Sequence, residues 1–141
     1  MGWIPYAVGS AVALAAADFF IKLASGKLSN SLALLIYGSC TFIAGLTWIL
    51  MDKFRGISIQ AQTAGILFAT GVGVSFSLVT VGLYLTFGAD APITLASPFI
   101  RLGGLMIASL AGLFLLHEPL TLRYTAGMIL AISGVYLIIT R

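Results

Sequence analysis

The sequence predicts an all-α integral membrane protein of five transmembrane helices, and three observations carry that expectation. Sixty per cent of the 141 residues are hydrophobic and only 8% are charged. Soluble domains carry about 25% charged residues, so polar surface is too scarce here to cover a globule in water. Mean hydropathy is +1.13. The apolar residues also fall into five stretches parted by short polar turns, each close to the ~20 residues that one helical crossing needs. Together they fill the chain as a single membrane domain, 1–141.

The first span is expected over about 3–24, followed by a polar turn from Gly26 to Asn30. The N-terminus lacks the basic flank and small-residue cleavage site of a secretory signal, so this span is expected in the mature protein. Tyr6 does not fit a myristoylation signal at Gly2. The second span, about 31–51, has no charge, and Asp52-Lys53-Phe54-Arg55-Gly56 is expected to close it as a charged loop. The third, about 63–87, is also uncharged and breaks at Gly88-Ala89-Asp90. Asp90 is placed to cap the fourth span, about 91–116, with Pro92 in its first turn. His117-Glu118-Pro119 makes the last turn before a fifth span at about 121–140. Hydrocarbon offers backbone groups no partners, so each stretch should be helical. The alternation of a membrane β-barrel is absent.

Seven Lys/Arg against four Asp/Glu give a net charge of +3. Six of the seven stand at expected span ends, which reads as anchoring to membrane lipid and not as a nucleic-acid surface. Five crossings put Lys53, Arg55 and Arg123 on one side and Lys22, Lys27 and Arg141 on the other. Such a balance gives the positive-inside rule nothing to act on, so it permits insertion in both orientations. Cys40, the one cysteine, has no disulfide partner and is expected as a packed mid-span thiol.

Lipid-facing helices need no polar side chains, so faces that carry them are informative. Thr70, Gly73, Ser77, Thr80 and Tyr84 recur at helical spacing in the third span. Tyr37, Thr41, Ala44 and Trp48 do so in the second, and Thr94, Ser97, Pro98, Arg101, Gly104 and Ala108 in the fourth. Small and hydroxyl residues also serve plain helix packing. Two aromatic hydroxyls and a charge favour a shared polar cavity. Arg101 stands near the middle of its span, where a charge costs at least ~3 kcal/mol on insertion scales. Asp18 is the other charge well inside a span, and the expected depths differ by roughly 6 Å at 1.5 Å per residue.

Three readings of these two residues stay open. Asp18 and Arg101 form a structural pair; Arg101 meets an anionic group of a substrate; or Asp18 takes and releases a coupling proton. Lys22, one turn beyond Asp18, is expected to snorkel to the interface. Pro98 removes a helical hydrogen bond from the Thr94 carbonyl, as in the interrupted helices that line cavities. Gly127, Ala131 and Gly134 form a small-residue seam on the fifth span that suits close contact with another helix. One histidine and no His/Cys/carboxylate cluster argue against a metal site, a cofactor or an enzyme.

Three segments then carry a resemblance: Asp18-Phe19-Phe20-Ile21-Lys22 ending the first span, Ala91-Pro92-Ile93 through Pro98 opening the fourth, and His117-Glu118-Pro119-Leu120-Thr121 followed by Gly127 and Gly134. In order and spacing they resemble the drug/metabolite transporter superfamily, the last being similar to the GE-x-LT…G…GV stretch of EamA-like proteins. The likeness covers essentially the whole chain. Ten-span members hold two five-span repeats in opposite orientation, so it implies one inverted repeat here, working as an antiparallel homodimer in the cell (inner) membrane by alternating access. The four-span small multidrug resistance transporters are more distantly similar. Their last helix dimerises through glycines spaced like Gly127 and Gly134. Their first helix has a glutamate eight residues before a lysine matching Lys22, where this chain has Leu14. That departure and Arg101 speak against export of cationic compounds, unless Asp18 has taken over one turn along.

The function expected is secondary active transport of a small polar or anionic metabolite. Its binding candidates are Arg101, Asp18, Tyr37, Thr41, Trp48, Ser77, Tyr84, Thr94 and Ser97, with Gly127, Ala131 and Gly134 at the dimer contact. The alternatives are a non-transporting half-subunit that pairs with a different membrane protein, or a proton-coupled exporter of cationic compounds using Asp18.

Overall fold

A computed structural model describes residues 2–117, 119 and 121–140. It holds five helices: α1 Ile4–Ala24, α2 Asn30–Phe54, α3 Thr63–Gly88, α4 Ile93–Leu115 and α5 Leu122–Ile139. Each is long and apolar enough to cross a membrane. At 1.5 Å per residue they measure about 27 to 39 Å, against a hydrocarbon core of about 30 Å. Five such helices fit a multi-pass membrane protein.

Burial supports the same solvent. Among the described residues only Ala33, Leu83 and Phe87 are buried apolar side chains, while Trp48, Phe68, Leu130 and Leu137 are largely exposed. A chain folded in water would be forced to hide such residues. In hydrocarbon the drive is missing, and packing and polar contacts decide which helices meet.

Helix ends follow local chemistry. Ser29 and Thr121 cap α2 and α5 by accepting from Leu32 N–H at 3.4 Å and Tyr124 N–H at 3.2 Å. After α1, Lys27 N–H bonds the Ala24 carbonyl at 3.0 Å with Gly26 at φ 76°, a type II turn whose third position needs positive φ. The expected loop after Met51 is partly helix, because α2 runs on through Phe54. It ends in a Schellman motif: Gly56 at φ 71°, Ile57 N–H to Asp52 O at 3.0 Å and Gly56 N–H to Lys53 O at 3.1 Å. A glycine that can turn left-handed lets the charged turn stay helical until it arrives.

Asp90 is not the cap of α4. Pro92 holds that position, with its carbonyl accepting from Leu95 and Ala96, and Asp90 sits at φ 61°. Proline's fixed φ starts the helix without a side-chain acceptor. Asp90→Val should therefore lower stability by about 1 kcal/mol, since a β-branched residue resists left-handed backbone, whereas Asp90→Gly should not. Thermal midpoints in detergent check both. Glu118, Leu120 and Arg141 lie outside the described residues, so the expected turn and C-terminal anchor are not placed there.

The chain forms two compact units, Met1–Ala89 with α1 to α3 and Asp90–Arg141 with α4 and α5. In the first, α3 packs against both α1 and α2; in the second, α4 packs on α5. Ser109 Oγ and the Tyr124 hydroxyl bond across that hairpin.

Candidate functional site

Helices α2 and α3 enclose an open groove of about 1010 Å³. Tyr37 and Thr41 line it from α2, and Gly73 and Ser77 from α3, so two of the polar stripes meet. Ser31 and Ser39 also line it. Sequence reasoning missed both. They recur with Leu35 at four-residue spacing, and the leucine between them hides the row.

Three of the groove hydroxyls share one state. Ser39 donates to Leu35 O at 2.9 Å, Thr41 to Gly38 O at 2.9 Å and Ser77 to Gly73 O at 2.9 Å. With each proton bonded to its own helix, the oxygen lone pairs are the part left for a solute. Along Ser39, Thr41 and Ser77 this wall accepts hydrogen bonds, while the Tyr37 phenol is a donor on it and the Ser31 hydroxyl shares a 3.3 Å contact with Ser29 in which either can donate.

The packing of α1 on α3 places Asp18. Ser25 Oγ donates to the Tyr84 carbonyl at 3.4 Å, and a Cβ on Gly88 would lie 3.4 Å from the same Oγ. The Lys22 ammonium sits 5.8 Å from the Phe87 ring centroid, a cation–π geometry. The C-terminal ends of α1 and α3 therefore lie together and the helices run parallel. Seven residues back from Ser25, about 10 Å along the axis, Asp18 comes to about the depth of Thr80. It is 2% exposed and Thr80 7%. Asp18 is engaged with a partner, and no buried side-chain nitrogen or oxygen among the described residues lacks one. Lys22 is half-buried, with its ammonium against the Phe87 ring.

In the second unit Ser97 and Arg101 are half-buried and both engaged, while Thr94, Gly104 and Ala108 are exposed. α4 continues through Pro98 as one helix. A Cβ at Gly127 or Gly134 would meet nothing within 4 Å, so the seam on α5 is open, with Ala131 half-buried between them.

Trp48 stands apart from the groove. It is 72% exposed and lines a separate depression with Asp52 and Arg55. Tyr84 is half-buried, and it is its carbonyl that serves the α1 contact. Cys40, expected as a packed thiol, is exposed on α2; a thiol is apolar enough for hydrocarbon contact. No group of three or more His, Cys, Asp and Glu residues that could hold a metal ion occurs among the described residues. Comparison of the chain with models of protein families, with curated proteins and with solved structures gives no match.

Proposed function

We propose that this chain is one half of a secondary active transporter for a small polar or anionic metabolite, working by alternating access as an antiparallel homodimer. The observation that carries the reading is the hydroxyl-lined groove between α2 and α3, on helices that are otherwise apolar enough to span a membrane. Plain packing would close such a space with small side chains. An acceptor wall suits a solute bearing hydroxyl or amino groups, and Arg101, on α4 of the other unit, is the candidate for meeting an anionic group. The resemblance to EamA-like proteins and the balanced charge count favour two copies in opposite orientation.

The burial of Asp18 favours a second reading of the same scaffold, in which its carboxylate couples transport to protons and the solute is cationic. The two readings differ in the charge of the solute, so one experiment separates them. Protein reconstituted in vesicles is loaded with pools of neutral, anionic or cationic small metabolites and tested for counterflow of labelled members. Saturable exchange of a polar or anionic pool is expected. Exchange of cations alone would reverse the assignment, and no flux from any pool would leave a non-transporting subunit. C-terminal reporters on both membrane sides should give a mixed signal; a single orientation points to a different partner chain.

The open seam on α5 gives the dimer its test. Gly127→Leu together with Gly134→Leu should leave the single chain folded, because neither Cβ meets a neighbour within 4 Å. The same pair should shift the protein from dimer to monomer, read by cross-linking in vesicles, with flux reduced at least about tenfold if about 1.4 kcal/mol of contact is lost. A dimer that survives both leucines uses another face.

A further inference from the structure

The C-terminal end of α2 carries a depression of about 460 Å³, lined by Ala44, Thr47, Trp48, Met51, Asp52 and Arg55. These positions recur at three and four residues, so they form one face of one helix. Thr47 donates its hydroxyl to the Ile43 carbonyl at 2.8 Å, which turns it onto its own backbone. The chemistry is left to three side chains: an exposed indole, a half-buried carboxylate and an exposed guanidinium.

Depth follows from the sequence of the helix. No charge occurs from Ser31 to Met51, and Asp52 is the first. Asp52 and Arg55 therefore stand where hydrocarbon gives way to headgroups, and Trp48 lies one turn inside, at the level where indoles gather. The Schellman turn at Gly56 ends the helix there and holds Arg55 at its edge.

A general anchor to headgroups needs only cations, and Lys53 on the neighbouring face, beside Leu50 and Phe54, meets that need. Asp52 is different. A carboxylate beside Arg55 repels a headgroup that carries only negative charge, and it favours one that brings its own cation. Phosphocholine brings a quaternary ammonium with no N–H to donate. Phosphoethanolamine brings a primary ammonium with three.

We propose that this face of α2 is a binding site for a phospholipid with a phosphoethanolamine headgroup. Arg55 pairs with the phosphate, Asp52 accepts from the ammonium, and Trp48 packs against the glycerol and upper acyl chain. Charge-assisted hydrogen bonds supply the preference, and the site is independent of any transported solute.

The sequence has two tryptophans, so Trp3→Phe leaves Trp48 as the sole indole. That variant is reconstituted in phosphatidylcholine vesicles containing brominated-chain phosphatidylethanolamine, phosphatidylglycerol or phosphatidylcholine, and quenching against mole fraction gives relative affinities. Phosphatidylethanolamine should exceed phosphatidylcholine roughly tenfold, as one charged hydrogen bond allows. Asp52→Asn should remove that preference while Lys53→Gln retains it, and Arg55→Gln should weaken all three lipids. Equal quenching by phosphatidylethanolamine and phosphatidylcholine, or stronger quenching by phosphatidylglycerol, overturns the proposal in the unsubstituted charge background. So does a preference that persists in Asp52→Asn.

Discussion

Replacing Arg101 with alanine is expected to abolish metabolite exchange, by at least about a hundredfold, while the protein still inserts in the membrane. The magnitude follows from removing one partner of a desolvated ion pair, about 3–5 kcal/mol. A guanidinium near the middle of α4 is held there against an insertion cost of several kcal/mol. Arg101 is half-buried and engaged. If it receives an anionic group, Arg101→Lys keeps the charge but loses the planar two-pronged contact, and exchange should fall by an intermediate factor. If Arg101 instead serves the packing of its own unit, Arg101→Ala should lower the thermal midpoint together with the flux. Flux in vesicles and melting in detergent, measured on the same preparations, tell the two apart. Exchange that survives Arg101→Ala removes the anion site from the proposal.

Asp18→Asn carries the second large effect. Asp18 is the one charge well inside α1, and it is 2% exposed at about the depth of the buried Thr80 on α3. Asparagine keeps its size and can still hydrogen-bond, but it cannot take up a proton. If Asp18 is the coupling group of the second reading, uptake driven by an imposed pH gradient should fall to the level seen without a gradient, while exchange in the absence of a gradient continues. Asp18→Ala should behave differently, since it leaves buried partner groups unsatisfied at about 1–3 kcal/mol and lowers the thermal midpoint as well. A gradient response unchanged in Asp18→Asn would make the carboxylate a structural group that holds α1 to α3.

The candidate site was legible in part, and the two ends of one stripe show why. Tyr37, Thr41 and Trp48 share a face of α2, as their spacing predicts. Yet the first two line the groove against α3, and Trp48 lines a different depression. Eleven residues separate Tyr37 from Trp48, about 16 Å along the axis. Periodicity reports the direction in which a side chain points, and it says nothing of how far along the helix a neighbour reaches. Ser39 shows the converse. Its spacing to Tyr37 hid it, and only the position of α3 brings it to the groove. Asp90 shows a third limit, because proline and aspartate both begin helices and the sequence alone does not rank them.

The five long apolar helices could be read without coordinates because each is a local property. A helix in hydrocarbon satisfies its own backbone hydrogen bonds, so about 20 apolar residues in a row are sufficient to dictate it. The partnering of those helices is of another kind. Most side chains toward lipid and toward protein are equally apolar, so apart from the polar stripes no pattern along the chain marks which helix meets which. Only the folded arrangement decided that α3 packs between α1 and α2 within its unit, that Asp18 is buried near the level of Thr80, and that Gly127 and Gly134 remain open. The reason is that contact between membrane helices is chosen by shape and a few hydrogen bonds, which are formed between residues far apart in sequence.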